Sequence, residues 1–113
     1  MIDKVAFGLA DDPAAGPYVR ALRRGTVVLA GLETDVCVAQ SALGLLDQGT
    51  RVVVVQDAVA TPGGNQAGLD RMRRAGAQTL TTKQLHYEWM RTVERSRAFT
   101  AAHPGLEPPG VVL

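Results

Sequence analysis

Two stretches of this chain place apolar residues on consecutive positions rather than alternate ones. Thr26 to Ala30 reads TVVLA and stops at Gly31; Arg51 to Gln56 reads RVVVVQ. Both are short and β-branched, the pattern of strands buried on both faces in a parallel sheet between helices. A weaker run, Ala77 to Leu80 (AQTL), has the same place in the cycle. Between the runs the apolar spacing turns helical. Val38, Ala42, Leu45 and Leu46 fall on one face, which Leu43 widens, and Gly49 stands where a left-handed C-terminal cap belongs. Leu69, Met72 and Ala75 make a second stripe closed by Gly76. Leu85, Trp89 and Val93 repeat every four residues in a third helix that Thr81 or Thr82 can cap. Upstream, residues 14–24 (AAGPYVRALRR) predict a helix with Tyr18, Val19 and Leu22 inward, and the tail HPGLEPPGVVL predicts extended chain.

The predicted order is helix, strand, helix, strand, helix, strand, helix. Such alternation implies a three-layer αβα fold with a parallel, Rossmann-like sheet and right-handed crossovers. The 113 residues suit one domain, 1–113. Three strands make a small sheet of this kind, so the expectation is a fold incomplete at its N-terminus, or one that borrows strands from a partner. An apolar edge at Thr26 to Gly31 would recruit another chain, hence an expected homo-oligomer.

Composition narrows the partners. A net charge of +1 argues against a chain built to bind polyanions, and no apolar run approaches the ~20 residues of a membrane span. With one cysteine there is no internal disulfide framework, so a cytoplasmic setting is expected, with neither nucleic acid nor membrane as partner. The arginine groups Arg20/Arg23/Arg24 and Arg71/Arg73/Arg74 read as solvated helix faces, since no aromatic residues interleave with them. His86 and His103 lack metal-ligand spacing, and no metal or other cofactor is expected.

The single cysteine, Cys37, follows the first strand at the carboxyl end of the sheet, where open α/β folds place their chemistry. Thr34 or Asp35 can cap the next helix, which puts Cys37 in its first turn. The unpaired N–H groups and partial positive charge there favour a thiolate and can hold a developing oxyanion. A buried structural cysteine explains the same residue equally well. A phosphate-binding loop fits poorly, because the turn has one glycine and two acids, Glu33 and Asp35. An esterase-type nucleophile elbow fits poorly too, since Val36 and Val38 flank the cysteine instead of glycines.

The stretch VVLAGLETDVCVAQSALGLLDQGTRVVVVQDAVAT resembles the signature segment of the isochorismatase-like cysteine hydrolases, a family that includes nicotinamidases and N-carbamoylsarcosine amidases. The glycine, the Thr-Asp pair, the Cys-Val pair and the VVVV-x-D-A strand fall in register over about residues 26–61, with a looser match on either side. The resemblance implies an amidohydrolase acting on a C–N bond of a small-molecule amide through a Cys37 thiolate and a thioester. It places Lys4, in IDKVAFGLADDP, on the family's catalytic lysine; by itself Lys4 reads as a solvated residue. It assigns the oxyanion hole to the backbone N–H groups of Glu33 and Cys37, and a cis peptide to Leu32–Glu33. The family's general base is an aspartate on its first strand, which this chain starts too late to contain; Asp3, beside Lys4, points the other way. Metal ligands of nicotinamidase members lie in that part as well. The family's subunits often meet near the last helices. A catalytically incomplete scaffold derived from the family is the alternative. Of the remaining residues, Asp57 either orients the loop 60–64 or caps a helix, and Tyr87 and Trp89 are expected to pack.

Overall fold

A computed structural model describes residues 1–113. Its elements run α1 (Ala15–Ala21), β1 (Thr26–Leu32), a five-residue π-helical turn (Thr34–Val38), α2 (Ala39–Asp47), β2 (Arg51–Ala60), α3 (Gln66–Arg74), β3 (Gln78–Leu80), α4 (Thr82–Met90) and α5 (Val93–Ala102). The three strands form one parallel sheet in the order β1-β2-β3. All three strands are found where the consecutive apolar runs predict them. The first two run further: β1 reaches Leu32 and β2 reaches Ala60.

Alternation along β2 sorts the core. Val52, Val54 and Val59 join Leu29, Ala42, Leu45, Leu69 and Met72 in one buried cluster beneath α2 and α3. Val53 and Val55 are buried on the other face, where α4 packs. The fold is therefore the expected layered α/β arrangement. Both crossover helices end as the glycines predict. Thr50 N–H donates to Leu45 O and Gly49 N–H to Leu46 O, with Gly49 at φ 82°. Ala77 and Gly76 repeat the pattern on Met72 and Arg73, with Gly76 at φ 111°. This is the paired-bond helix terminus that only a left-handed residue permits.

The sequence expectations fail in the helices with least core behind them. Residues 22–24 are not helical, and Tyr18 and Leu22 are exposed, so α1 touches the core chiefly through Val19. Ala75 is exposed and Ala77 takes its place in the core. The helix predicted through Val93 breaks in two. Thr81 caps α4 in a reciprocal capping box with Gln84, Arg91 ends it at φ 68°, and Thr92 caps α5 by accepting from Arg95 N–H. Trp89 and Val93 are left exposed. Asp57 accepts from both the N–H and the hydroxyl of Thr82, so it helps start α4 rather than ordering loop 60–64. β1 pairs on one side only, and Val28 and Leu32 are exposed to 36% and 70%.

Candidate active site

The site begins where β1 ends. The Leu32–Glu33 peptide is cis, and the chain then enters the π-helical turn that carries Cys37. Val36 and Val38 N–H both donate to Glu33 O, the second closing the wide i→i+5 ring. Neither Thr34 nor Asp35 caps the turn, contrary to expectation. Their side chains reach sideways to the loop after β2. Thr34, fully buried, donates to Asn65 Oδ1 at 2.7 Å, and Asn65 Nδ2 donates to Val59 O at 3.0 Å. Thr61 Oγ1 donates to Asp35 and, at 3.4 Å, to Glu33. The turn is thus tethered to two places on the β2–α3 connection, and α3 lies close against it. A Cβ on Gly68 would stand 3.1 Å from Thr34 Cγ2 and 3.2 Å from the Asp35 backbone.

Cys37 is half-buried and free. Lys4 comes from the N-terminal segment, 33 positions earlier, and its Nζ lies 3.6 Å from Cys37 Sγ. The same ammonium donates to Ala6 O at 2.9 Å and Phe7 O at 3.0 Å. A lysine has three N–H donors, so all three are directed and one of them points at sulfur. These carbonyls hold an otherwise exposed side chain in one place. A small cleft of about 160 Å³ opens beside the pair, lined by Leu9, Leu29, Leu32 and Ser41 among others. The Glu33 N–H donates to no protein acceptor.

Asp12, which the sequence reading did not single out, builds the segment that presents Lys4. It is 2% exposed and accepts four backbone bonds: Oδ2 from Val5 and Ala6 N–H, Oδ1 from Ala14 and Ala15 N–H. Gly16 N–H donates to its carbonyl. These donors, the Ala15 N–H most of all and then that of Ala6, lower its pKa to about 2, against the opposing effect of burial. Asp12 followed by Pro13 is a helix-start signature, so half of this role was visible in the sequence; the bonds to Val5 and Ala6 were not. Ser41 on α2 secures the other end of the segment by accepting from Leu9 N–H at 3.0 Å. The apposition also needs two glycines. A Cβ on Gly8 would sit 3.0 Å from Gln40 O, and one on Gly44 would sit 2.8 Å from the Ala10 Cβ.

His86 and His103 lie far along the chain in another cluster. His86 is buried against Ser96 and the Phe99 ring, and Ser96 in turn donates to Leu113 O. No group of three or more His, Cys, Asp or Glu side chains is placed to hold a metal ion.

Residues 1–84 match the family described as the isochorismatase domain. Isochorismatase family protein 2A of Dictyostelium discoideum is 34% identical over 92 residues, covering 78% of this chain and 46% of that protein. The octameric hydrolase of unknown specificity YcaC from Escherichia coli superposes with a TM-score of 0.72 at 29% identity, over 90% of this chain and 53% of that one. Nicotinamidase PncA from Bacillus subtilis gives a TM-score of 0.60 at 29% identity, over 69% and 45%. The chain spans about half the length of these relatives or less. With the matched segment covering both ends of the Lys4–Cys37 contact and the whole of β1, β2 and α3, this chain belongs to the isochorismatase domain family.

Proposed function

We propose that the chain is the cysteine-bearing part of a hydrolase that opens the C–N bond of a small amide. The observation that carries this reading is the Lys4 ammonium donating to the Cys37 thiol sulfur at 3.6 Å. A fixed positive charge beside sulfur favours the thiolate, which is the nucleophile. The thiol proton passes to a carboxylate base, which the family resemblance places on an aspartate without a counterpart in residues 1–113. The thiolate adds to the amide carbonyl, and the oxyanion takes the N–H groups of Glu33 and Cys37. The tetrahedral species expels the amine, which leaves with the proton from the base. Water, deprotonated by the same carboxylate, then attacks the thioester; the acid departs and the thiol is restored. The site works in a homo-oligomer, in keeping with the free edge of β1 and with the octameric assembly of the E. coli relative.

The test is a screen of the intact protein against nicotinamide, carbamoyl amides and isochorismate, with mass spectrometry of the acylated protein. Ammonia or amine release, with an acyl adduct on Cys37 that Cys37→Ala abolishes, supports the reading. Turnover of isochorismate alone would move the substrate class away from amides. A second reading, a catalytically incomplete scaffold, rests on a specific feature: Lys4 is the only side chain hydrogen-bonded to Cys37 Sγ, and no carboxylate or imidazole reaches it. A folded intact protein that hydrolyses none of these substrates and forms no adduct would favour the scaffold.

A further inference from the structure

At the amino end of the sheet, remote from Cys37, one arginine in the last turn of α1 and two in the turn after it come together. Arg20, Arg23 and Arg24 line a single cleft of about 300 Å³ together with Val19, Gln48 and Thr50. No carboxylate lines this cleft. Neither of the structure's ion pairs, Arg73–Asp70 and Arg91–Glu88, involves these arginines, which are solvent-exposed and free of protein carboxylates. We propose that this cleft binds a small anion bearing two or more phosphate groups.

The bland account is that the arginines offset the carbonyl ends of α1 and α2, which terminate nearby. That account falls short in magnitude. Two helix C-termini present about −0.5 of a charge each, whereas three guanidiniums carry three full positive charges. About two positive charges are left beyond the helix ends, solvated in the free protein and available to an anion. Guanidiniums pair with phosphate oxygens through two parallel N–H bonds, and the Thr50 hydroxyl and Gln48 amide supply neutral donors beside them. Arg23 adds a backbone observation. It sits just past the helix at φ 48°, the left-handed position where glycine is usual, although Gly25 stands two residues on. The fold keeps an arginine at a position that disfavours one. The cleft volume lies at the lower end of small-molecule sites. A compact polyphosphate suits it better than a long nucleic-acid strand, because no aromatic side chain lines it for bases to stack on.

The experiment is isothermal titration of the intact protein with sodium tripolyphosphate at low and moderate salt. The triple variant Arg20→Gln/Arg23→Gln/Arg24→Gln is compared with Arg71→Gln/Arg74→Gln, which removes charge from the other arginine group; circular dichroism confirms that both fold. Binding should weaken as salt rises. It should fall by about tenfold or more in the triple variant, because charge-assisted contacts are lost, and should change little in the other. No heat of binding in the millimolar range, or equal loss in both variants, overturns the site. A parallel titration with short single-stranded RNA separates the source of the phosphates. Tight RNA binding that tripolyphosphate fails to displace, lost in the triple variant, would overturn the small-ligand assignment in favour of a nucleic-acid backbone. Amide hydrolysis does not enter the readout, so the proposal stands or falls apart from the function of Cys37.

Discussion

Lys4 and Cys37 are separated by 33 positions in the chain, yet the lysine ammonium lies within hydrogen-bonding distance of the sulfur and is fixed there by two carbonyls of its own loop. The pair joins the N-terminal segment, which Asp12 and Ser41 hold, to the turn after β1. Disturbing either partner, or what holds it, should therefore register at the thiol.

Lys4→Met removes the charge and keeps much of the side-chain volume. Iodoacetamide should alkylate Cys37 in the folded variant roughly tenfold more slowly at the same pH, the loss expected for a partly solvated charge at contact distance. Unchanged alkylation would mean that the ammonium does not act on the sulfur.

Asp12 makes the loop acid-sensitive in a defined window. Its folded pKa is about 2, below the ordinary carboxylate value near 4. Its stabilisation is complete above that ordinary value, fades as pH falls through the interval, and is gone below about pH 2. An acid titration followed by circular dichroism should show this loss between about pH 4 and pH 2. Asp12→Asn should be less stable at neutral pH and should lack that component of the acid response.

Gly44→Ala sets two effects against each other. Alanine improves an interior helical position by up to about 1 kcal/mol, but the new Cβ would meet the Ala10 Cβ at 2.8 Å. The N-terminal segment should be pushed off α2, with slower alkylation of Cys37 and faster proteolysis before residue 14. Adding Ala10→Gly removes the opposing methyl and should restore both readouts. Absence of rescue would place the damage elsewhere.

Met72, fully buried beneath the sheet in the cluster with Leu45 and Val54, reports on the scaffold alone. Met72→Ala should cost about 2–5 kcal/mol in urea denaturation, from lost burial and a cavity.

The outer side of β1 has unpaired backbone groups and no charged residue to discourage pairing. Sedimentation velocity should find the protein self-associated. Val28→Lys, which places a charge on the exposed apolar face, should shift it toward monomer. A monomeric parent would contradict the edge argument.

Much of this architecture lay open in the sequence because it depends on local pattern. Consecutive β-branched runs mark β1 and β2 as strands, although only β2 is buried on both faces; in β1 Leu29 alone is buried. Gly49 and Gly76 end α2 and α3 because a left-handed residue is nearly free for glycine. The cysteine turn could be placed at the carboxyl end of the sheet from the strand before it, and likeness to a family singled out Lys4, which lies beside Cys37. Other features needed the tertiary structure. The break between α4 and α5 falls on Arg91, whose left-handed conformation no sequence rule for glycine would find. Asp12 shows only its helix-start half in sequence, since its bonds to Val5 and Ala6 exist only after the loop closes. Arg20, Arg23 and Arg24 are solvated, as their spacing predicts, but the helix stops at Ala21, and only the turn after it brings Arg23 and Arg24 to the cleft that Arg20 also lines. Periodicity reports which face of an element is apolar. Which elements then meet, and which charges find no partner, follows only from packing the faces together.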